Sequence, residues 1–400
     1  MKIAILGHGT VGSGVAEILW NRNSEVSSAA GKSLELGCIL DIRDFSELPY
    51  SDRFTKDFSE ILADPEIGIV AESMGGIEPA YSYLKAALEK GKSAVTSNKE
   101  LVAEKGAELL SIARAHNANF LFEASVGGGI PLIRPLYSAM SAAGITEMAG
   151  ILNGTTNYIL TQMFRFGADY SAALADAQRL GYAERDPSAD VLGWDACRKI
   201  AILSSLVWGK TLRPEEIPTE GIANITAEDV SAAEICGFSI KLLARAKLLE
   251  KGKIFARVSP ALVRNGSPLS TVSDVYNAVL VRAETTGEVL FYGKGAGKMP
   301  TASSVIADIV ECAKTEGNIG SVFWEDGAQS AAADTEALAE KYFIRARGLS
   351  KEDIFFLCPA AEIIGTEVFI TPPLTACELS VLKEKINEHG VLLSKIPLFE

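Results

Sequence analysis

No run of about 18 apolar residues occurs in this sequence, so no helix of it is expected to span a bilayer. The opening Met1-Lys2-Ile3-Ala4-Ile5-Leu6-Gly7 meets a glycine too soon for the apolar core of a leader, and no signal peptide is expected. Basic residues are in the minority: 38 Lys and Arg stand against 51 Asp and Glu, a net charge of −13. Phosphate backbones and anionic lipid surfaces need a cationic face, so nucleic acid and membrane are not expected partners. Histidine is scarce, with only His8, His116 and His389, which speaks against a His-rich zinc site and leaves acid–base work to Lys, Asp and Glu. The six cysteines (Cys38, Cys197, Cys236, Cys312, Cys358, Cys377) lie far apart with no C-x-x-C pair. They read as reduced thiols of a cytoplasmic protein.

What is present is a long apolar-rich chain, 400 residues of which 48% are hydrophobic, enough for two or three domains. Short apolar runs alternate with helical patterns through the first 125 residues, the mark of a parallel α/β sheet. Strands are expected at Lys2–Leu6, Leu34–Asp41, Gly68–Ala71, Ser93–Thr96 and Asn119–Glu123, with helices at Pro79–Lys90 and Lys105–His116 between them. Asn21–Lys32 is small and polar and reads as a surface loop. Beyond Gly127-Gly128-Gly129-Ile130-Pro131 the rhythm stops, giving way to longer helices with strands late on (Lys253–Val258, Ala278–Ala283, Glu288–Tyr292). A helix follows from Pro300 to about Cys312. Glu325–Glu336 reads as an acidic linker, and Tyr342–Arg347, Glu367–Thr371, Glu378–Glu388 and Val391–Pro397 suggest a small α+β module. The expected division is a Rossmann domain over 1–130 with helix 299–318 packing back on it, a substrate and dimerisation domain over 131–298, and a terminal module over 338–400.

Gly7-His8-Gly9-Thr10-Val11-Gly12 follows a strand and opens a helix, the position where glycines let a pyrophosphate approach the helix N-terminus. Asp41 ends the second strand and suits a ribose hydroxyl, while Arg43 suits a 2′-phosphate. NAD and NADP both stay open, with a lean to NADP because Arg43 has no obvious other role. Ser97-Asn98-Lys99 follows the fourth strand at the carboxyl edge, where ligands bind in open α/β sheets. The turn Glu123–Ile130 sets carbonyl-rich backbone beside a carboxylate, a donor set for a hard cation such as Na⁺ or K⁺ or simply a tight crossover. In Gly181–Lys199, Asp195 and Lys199 stand one helical turn apart on one face, ahead of the apolar run Ile200–Val207. A surface ion pair would leave them inert. At the mouth of a buried helix the lysine can move a hydroxyl proton while a dinucleotide takes the hydride. Glu184 and Asp190 add negative charge suited to a substrate ammonium.

These residues, with Gly150-Ile151-Leu152-Asn153-Gly154-Thr155-Thr156-Asn157-Tyr158-Ile159-Leu160 and Gly295-Ala296-Gly297-Lys298-Met299-Pro300-Thr301-Ala302-Ser303, give the chain a close resemblance to homoserine dehydrogenase over about residues 1–320. The resemblance implies NAD(P)-dependent interconversion of L-homoserine and L-aspartate 4-semialdehyde, on the route to threonine and methionine. It implies Lys199 as proton donor and acceptor beside a substrate-binding Asp195. Glu184 and Asp190 would meet substrate polar groups, with Gly154 and Thr155 lining the same pocket. Lys99 would sit between cofactor and substrate, and Thr10, Val11, Arg43 and Gly297 match cofactor contacts alongside Gly7, Gly9, Gly12 and Ser97. It implies a monovalent cation at Glu123, Val126, Gly128 and Ile130, and a homodimer or higher oligomer.

Two departures stand out. The chain opens directly on the dinucleotide fold, so the aspartate kinase of bifunctional relatives is not expected. The tail from about residue 340 resembles a shortened ACT regulatory module: Tyr342–Arg347 runs into Gly348-Leu349-Ser350 where the family has an acidic-Pro-Gly turn and helix, so threonine feedback is not expected. The rival readings are a dehydrogenase of another small amino acid and a catalytically silent NAD(P)-sensing module. Retention of both Asp195 and Lys199 argues against the sensor.

Overall fold

The computed structural model describes every residue except Glu316, Ser321, Ala328, Thr335, Ala337 and Thr366. The chain forms two compact units. The first is Met1–Ile145, Ala201–Pro214 and Phe291–Ser330, and the second is Thr146–Ile200, Glu215–Leu290 and Ala331–Glu400.

The first unit opens β1 (Lys2–Leu6), α1 (Thr10–Asn21), α2 (Asn23–Ala30), β2 (Glu35–Leu40), β3 (Phe54–Thr55), α3 (Phe58–Ala63), β4 (Ile67–Glu72) and α4 (Ala80–Glu89). It continues through β5 (Ser93–Thr96), α5 (Lys99–Ala115), β6 (Phe120–Leu121) and α6 (Ile133–Tyr137). The sheet runs β3-β2-β1-β4-β5-β6, and each neighbouring pair is parallel. Ile3, Ile5, Leu6, Ile69 and Val70 are buried on it, as strands covered on both faces require. Strand order reverses between β1 and β4, and the crevice outside their carboxyl ends is where such sheets hold dinucleotides.

The chain then gives β7 (Ile145–Ile151), α7 (Gly154–Phe166), α8 (Tyr170–Arg179), α9 (Ser188–Val191), α10 (Trp194–Trp208), α11 (Ala227–Ile235), β8 (Phe238–Leu248) and β9 (Ile254–Arg264). β10 (Tyr276–Ala283), β11 (Gly287–Lys294), α12 (Lys298–Lys314), β12 (Tyr342–Arg347), α13 (Lys351–Leu357), β13 (Glu362–Ile363), β14 (Val368–Ile370), α14 (Ala376–His389) and β15 (Val391–Phe399) complete it. A nine-stranded sheet, β11-β10-β7-β8-β9-β15-β12-β14-β13, organises the second unit. β15 runs antiparallel to β12 and parallel to β9 at Leu398–Leu262 and Phe399–Val263, so the tail strands continue the central sheet. They also carry a core of their own, including Ile344, Ile354, Phe369, Leu382 and Ile386. In the first unit, α12 packs on α1 and α2.

Several local expectations fail for identifiable reasons. Asn23–Ala30 is a helix and not a loop, because Val26 and Ala30 find a buried face that polarity alone does not reveal. α5 starts at Lys99 and not Lys105, since the Asn98 side chain accepts from the Leu101 N–H and caps it there. β8 is not expected from the sequence. It is buried along most of both faces, so the period-two alternation that marks a half-exposed strand is absent. α13 was missed although Ser350 and Asp353 form a capping box, a signal legible in the sequence. Part of the expected linker Glu325–Glu336 pairs instead: Glu325 bridges Lys210, and Ala332 bridges Ile254. Ala328 and Thr335, within that stretch, lie outside the described residues, as does Glu316 within the expected helix 299–318.

Candidate active site

In the first unit, β1 ends at Leu6 and the chain turns through Gly7, whose φ of +91° is left-handed. A Cβ on Gly12 would lie 1.9 Å from the Gly7 carbonyl oxygen, so only glycine lets α1 begin this close to the turn. Gly9 caps α1 with no side-chain hydrogen bond, and the space where its Cβ would stand is open. The first N–H groups, through Thr10, Val11 and Gly12, therefore suit an anion there. A cleft of about 380 Å³ in front of this turn is lined by Gly7, Gly9, Asp41, Arg43, Lys56 and Met74.

Asp41 is buried and accepts from the His8 N–H at 2.7 Å and from the Arg43 N–H and guanidinium at 2.9–3.0 Å. The Arg43 guanidinium holds the Asp41 carboxyl well below the usual carboxylate range against the opposing effect of burial. Arg43 thus has a partner, which the sequence had not suggested. Its side chain stays 58% exposed, so its charge still faces the cleft. At the edge of β5, Ser97 leads through Asn98 into Lys99, the half-buried first residue of α5. Gly297, at φ +123°, precedes α12, whose Lys298 pairs with Glu17 of α1 at 2.7 Å.

The Glu123–Ile130 turn also belongs to the first unit. The Glu123 carboxylate accepts from the N–H groups of Leu132, Ile133 and Arg134 at 2.5–2.8 Å, the entry to α6. Asp308 of α12 accepts from the Glu123 N–H at 2.7 Å, and Ser304 donates to the Gly128 carbonyl at 2.6 Å. Burial, with the Glu123 charge behind it, pushes Asp308 up to about 8 even though Arg134 lies 3.1 Å away. Gly128 has φ +58°, and a Cβ there would lie 2.2 Å from the Gly295 carbonyl. Val126 and Ile130 are buried. With the Glu123 carboxylate committed to α6, what this turn offers an ion is main-chain carbonyl oxygen, a donor type that fits a hard monovalent cation. Among the described residues no group of three or more His, Cys, Asp or Glu is arranged to hold a metal.

The second unit assembles the remaining cluster. α10 starts at Trp194, and its first turn carries Asp195. Lys199 Nζ donates to Asp195 Oδ2 at 2.8 Å and to the Leu152 carbonyl at 2.7 Å. Both side chains are buried, 9% and 4% exposed, which removes the solvated surface pair as an account of them. Asn153 caps α7 by accepting from the Thr156 N–H at 2.8 Å. Its amide donates to Asp190 at 2.7 Å and Asp195 at 2.9 Å, bracing the two carboxylates. Thr155 donates to the Tyr182 carbonyl at 2.6 Å and to Asp190 at 3.2 Å. Burial, then the Asp195 charge, raises the Asp190 carboxyl above its ordinary value. Gly154 opens α7, where a Cβ would lie 2.9 Å from the Val275 carbonyl.

Lys199, Asp195, Asp190, Thr155 and Gly154 thus come together. Glu184 does not join them by any hydrogen bond described. It is exposed, and its carbonyl accepts from Gln178 at 3.1 Å. Sequence reasoning assigns no role to Asn153, which sits within the Gly150–Leu160 motif, to Lys56, which has no local signal, or to Ser304, 176 positions from the carbonyl it meets.

Two family models match the chain: the homoserine dehydrogenase NAD-binding domain over residues 7–123 and homoserine dehydrogenase over residues 131–310. A homoserine dehydrogenase of Lactococcus lactis is 41% identical over 86% of this chain and 82% of its own length. The crystal structure of a homoserine dehydrogenase from Thiobacillus denitrificans superposes with TM-score 0.91 at 32% identity, covering 100% of this chain and 98% of that one. A hyperthermophilic archaeal homoserine dehydrogenase in complex with NADPH matches 78% of this chain and 97% of its own with TM-score 0.66 at 31% identity. With an NAD(P)-binding domain, the Lys199–Asp195 cluster and these relatives, the chain belongs to the homoserine dehydrogenase family, oxidoreductases that act on a CH–OH donor.

Proposed function

We propose that Lys199 carries the proton in this reaction and that Asp195 and Asp190 bind and orient the amino-acid substrate. The observation that supports it is the buried Lys199–Asp195 pair at 2.8 Å, tied through Asn153 to Asp190. When bound, a nicotinamide dinucleotide would supply the hydride acceptor for the alcohol and the hydride donor for the carbonyl. As the neutral amine Lys199 takes the hydroxyl proton during oxidation, becoming the ammonium that pairs with Asp195, and as that ammonium it gives the proton to the carbonyl oxygen in reverse. Asp195 holds the lysine in place, while the Leu152 carbonyl fixes a second of its N–H groups. The two carboxylates offer acceptors to a substrate ammonium, and Thr155 and Gly154 form the adjoining wall. Glu184 supplies charge at the exposed turn. Lys99, at the start of α5, meets a substrate or cofactor anion.

Gly7, Gly9, Thr10, Val11 and Gly12, with Ser97 and Gly297, would hold the cofactor, and NADP is favoured over NAD. Arg43 and Lys56 both line the cleft beyond Asp41, two cations suited to a 2′-phosphate. The archaeal relative bound to NADPH supports the same preference. Glu123, Val126, Gly128 and Ile130 would hold Na⁺ or K⁺ through their carbonyl oxygens. The protein works as a homodimer or higher oligomer that extends the sheet at its outer strand β11, where Leu290 and Tyr292 are 38% and 53% exposed. Sedimentation giving a monomer at micromolar concentration sinks the oligomer. No helix among the described residues is long and apolar enough to cross a membrane.

The test is nicotinamide absorbance with L-homoserine, NAD and NADP in parallel, for wild type and Lys199→Ala. Reduction by wild type and a loss of about two to four orders of magnitude in the variant are expected. Near wild-type turnover in the variant removes Lys199 from the chemistry.

A further inference from the structure

The first unit buries a carboxylate at the carboxyl end of β4, next to the glycine turn. Glu72, the last residue of β4, has 0% exposure. Its Oε1 accepts from the N–H groups of Met74 at 2.6 Å and Gly75 at 3.2 Å, and its Oε2 accepts from the Thr96 hydroxyl at 2.5 Å. The Thr96 oxygen accepts in turn from the Asn98 N–H at 2.9 Å, and the Asn98 amide donates to the Gly76 carbonyl at 2.5 Å. The bonds close a ring from residue 72 to 96, 98 and 76, and back through 75 and 74.

The two loops this ring joins leave the carboxyl ends of neighbouring strands, β4 and β5, beside the point where strand order reverses. Residues 73–76 supply Ser73 and Met74 to the cleft, and the Ser73 hydroxyl donates to the Gly7 carbonyl at 3.0 Å. Residues 97–99 end in Lys99, with Asn98 capping its helix. Gly75 and Gly76 both adopt left-handed φ, +81° and +71°, with little packed against them, so contacts at those glycines do not hold this loop. Ser73 ties its first residue to Leu6 and Gly7, and beyond that its shape rests on what Glu72 and Asn98 bind. Several donors converge on Glu72, which suits an acceptor-only carboxylate, whereas an amide would turn N–H groups toward one of them.

We propose that Glu72 is a positioning residue for the cofactor site: through Met74 and Gly75 it sets the cleft wall, and through Thr96 and Asn98 it sets Lys99. The inference rests on the reading of this cleft as the nicotinamide-dinucleotide site.

The test compares Glu72→Gln, Thr96→Val and the double variant with wild type, using the full-length protein and NADP as probe. Direct titration gives the cofactor Kd without turnover, thermal melting gives stability, and steady-state kinetics separates cofactor KM, homoserine KM and kcat. Expected are a rise of about tenfold in cofactor Kd and KM for Glu72→Gln and a smaller rise for Thr96→Val. The double variant should be little worse than Glu72→Gln, because the two act as a unit. A purely structural anchor would lower the melting temperature while the folded variants bind NADP within about twofold of wild type, and that result overturns the proposal. If Glu72→Gln does not fold, Thr96→Val decides alone: unchanged cofactor Kd refutes the ring. Wild type that binds neither NADP nor NAD would sink the reading of the cleft itself, a separate failure.

Discussion

Replacing Lys199 by arginine separates charge from proton transfer. The Lys199 ammonium is held 2.8 Å from Asp195 and 2.7 Å from the Leu152 carbonyl. Arginine keeps the positive charge and its hydrogen bonds but does not give up a proton near neutral pH. If Lys199 only neutralised Asp195, Lys199→Arg would stay active while Lys199→Met failed. If it moves the hydroxyl proton, both must fail. General acid–base catalysis contributes about 10²–10⁴ in rate, equivalent to ~2.7–5.5 kcal/mol of barrier, so kcat should fall by that factor in each variant. Stability should separate them. Lys199→Met strands a buried carboxylate that keeps only its other donors, a defect of about 3–5 kcal/mol, whereas Lys199→Arg keeps a cation beside it. The assays are nicotinamide absorbance at saturating homoserine, thermal melting, and NADP titration, which should be unchanged because Lys199 is not among the residues lining the nucleotide cleft. Lys199→Arg turning over within about tenfold of wild type would refute proton transfer by this residue.

Further outcomes follow from other contacts. Arg43→Ala should weaken NADP by about 10–100-fold, the scale of one charged hydrogen bond, and NAD much less; equal losses would mean that Arg43 does not read the phosphate. Asn153→Ala removes the α7 cap and the brace between Asp190 and Asp195, so it should cost about 0.5–2 kcal/mol from the cap alone and raise homoserine KM; an unchanged KM would show that the brace is not needed. Asp190 has a carboxyl raised by burial and by Asp195, so its ionisation opposes folding: stability is full below its ordinary value and falls as pH rises through the raised one. Asp190→Asn should therefore melt higher than wild type at neutral pH and gain nothing in strong acid, while binding homoserine less well. Gly128→Ala drives a Cβ to 2.2 Å from the Gly295 carbonyl and should abolish any response of activity to Na⁺ or K⁺ when choline replaces them; an intact response would move the ion elsewhere.

The sequence by itself determined whatever is written in local spacing. Gly7 to Gly12 after β1 named the nucleotide turn, because close backbone approach demands glycine at fixed offsets. The four-residue interval from Asp195 to Lys199 set both on one face of α10, because helical periodicity is a property of the chain alone. The alternation through the first 125 residues gave the parallel sheet for the same reason. Tertiary structure decided what depends on neighbours distant in sequence. β8 shows no strand signal, since partners on both faces erase the alternation. The helix at Asn23–Ala30 exists because its few apolar side chains find a buried face. Asn153 became the brace of two carboxylates 37 and 42 positions away. Arg43 was found paired with Asp41, and the Glu123 carboxylate was found filled by the N–H groups of α6. Local geometry constrains which groups share a helix face or a turn, while burial and hydrogen-bond satisfaction, which act only once the chain has folded, select what each group meets there.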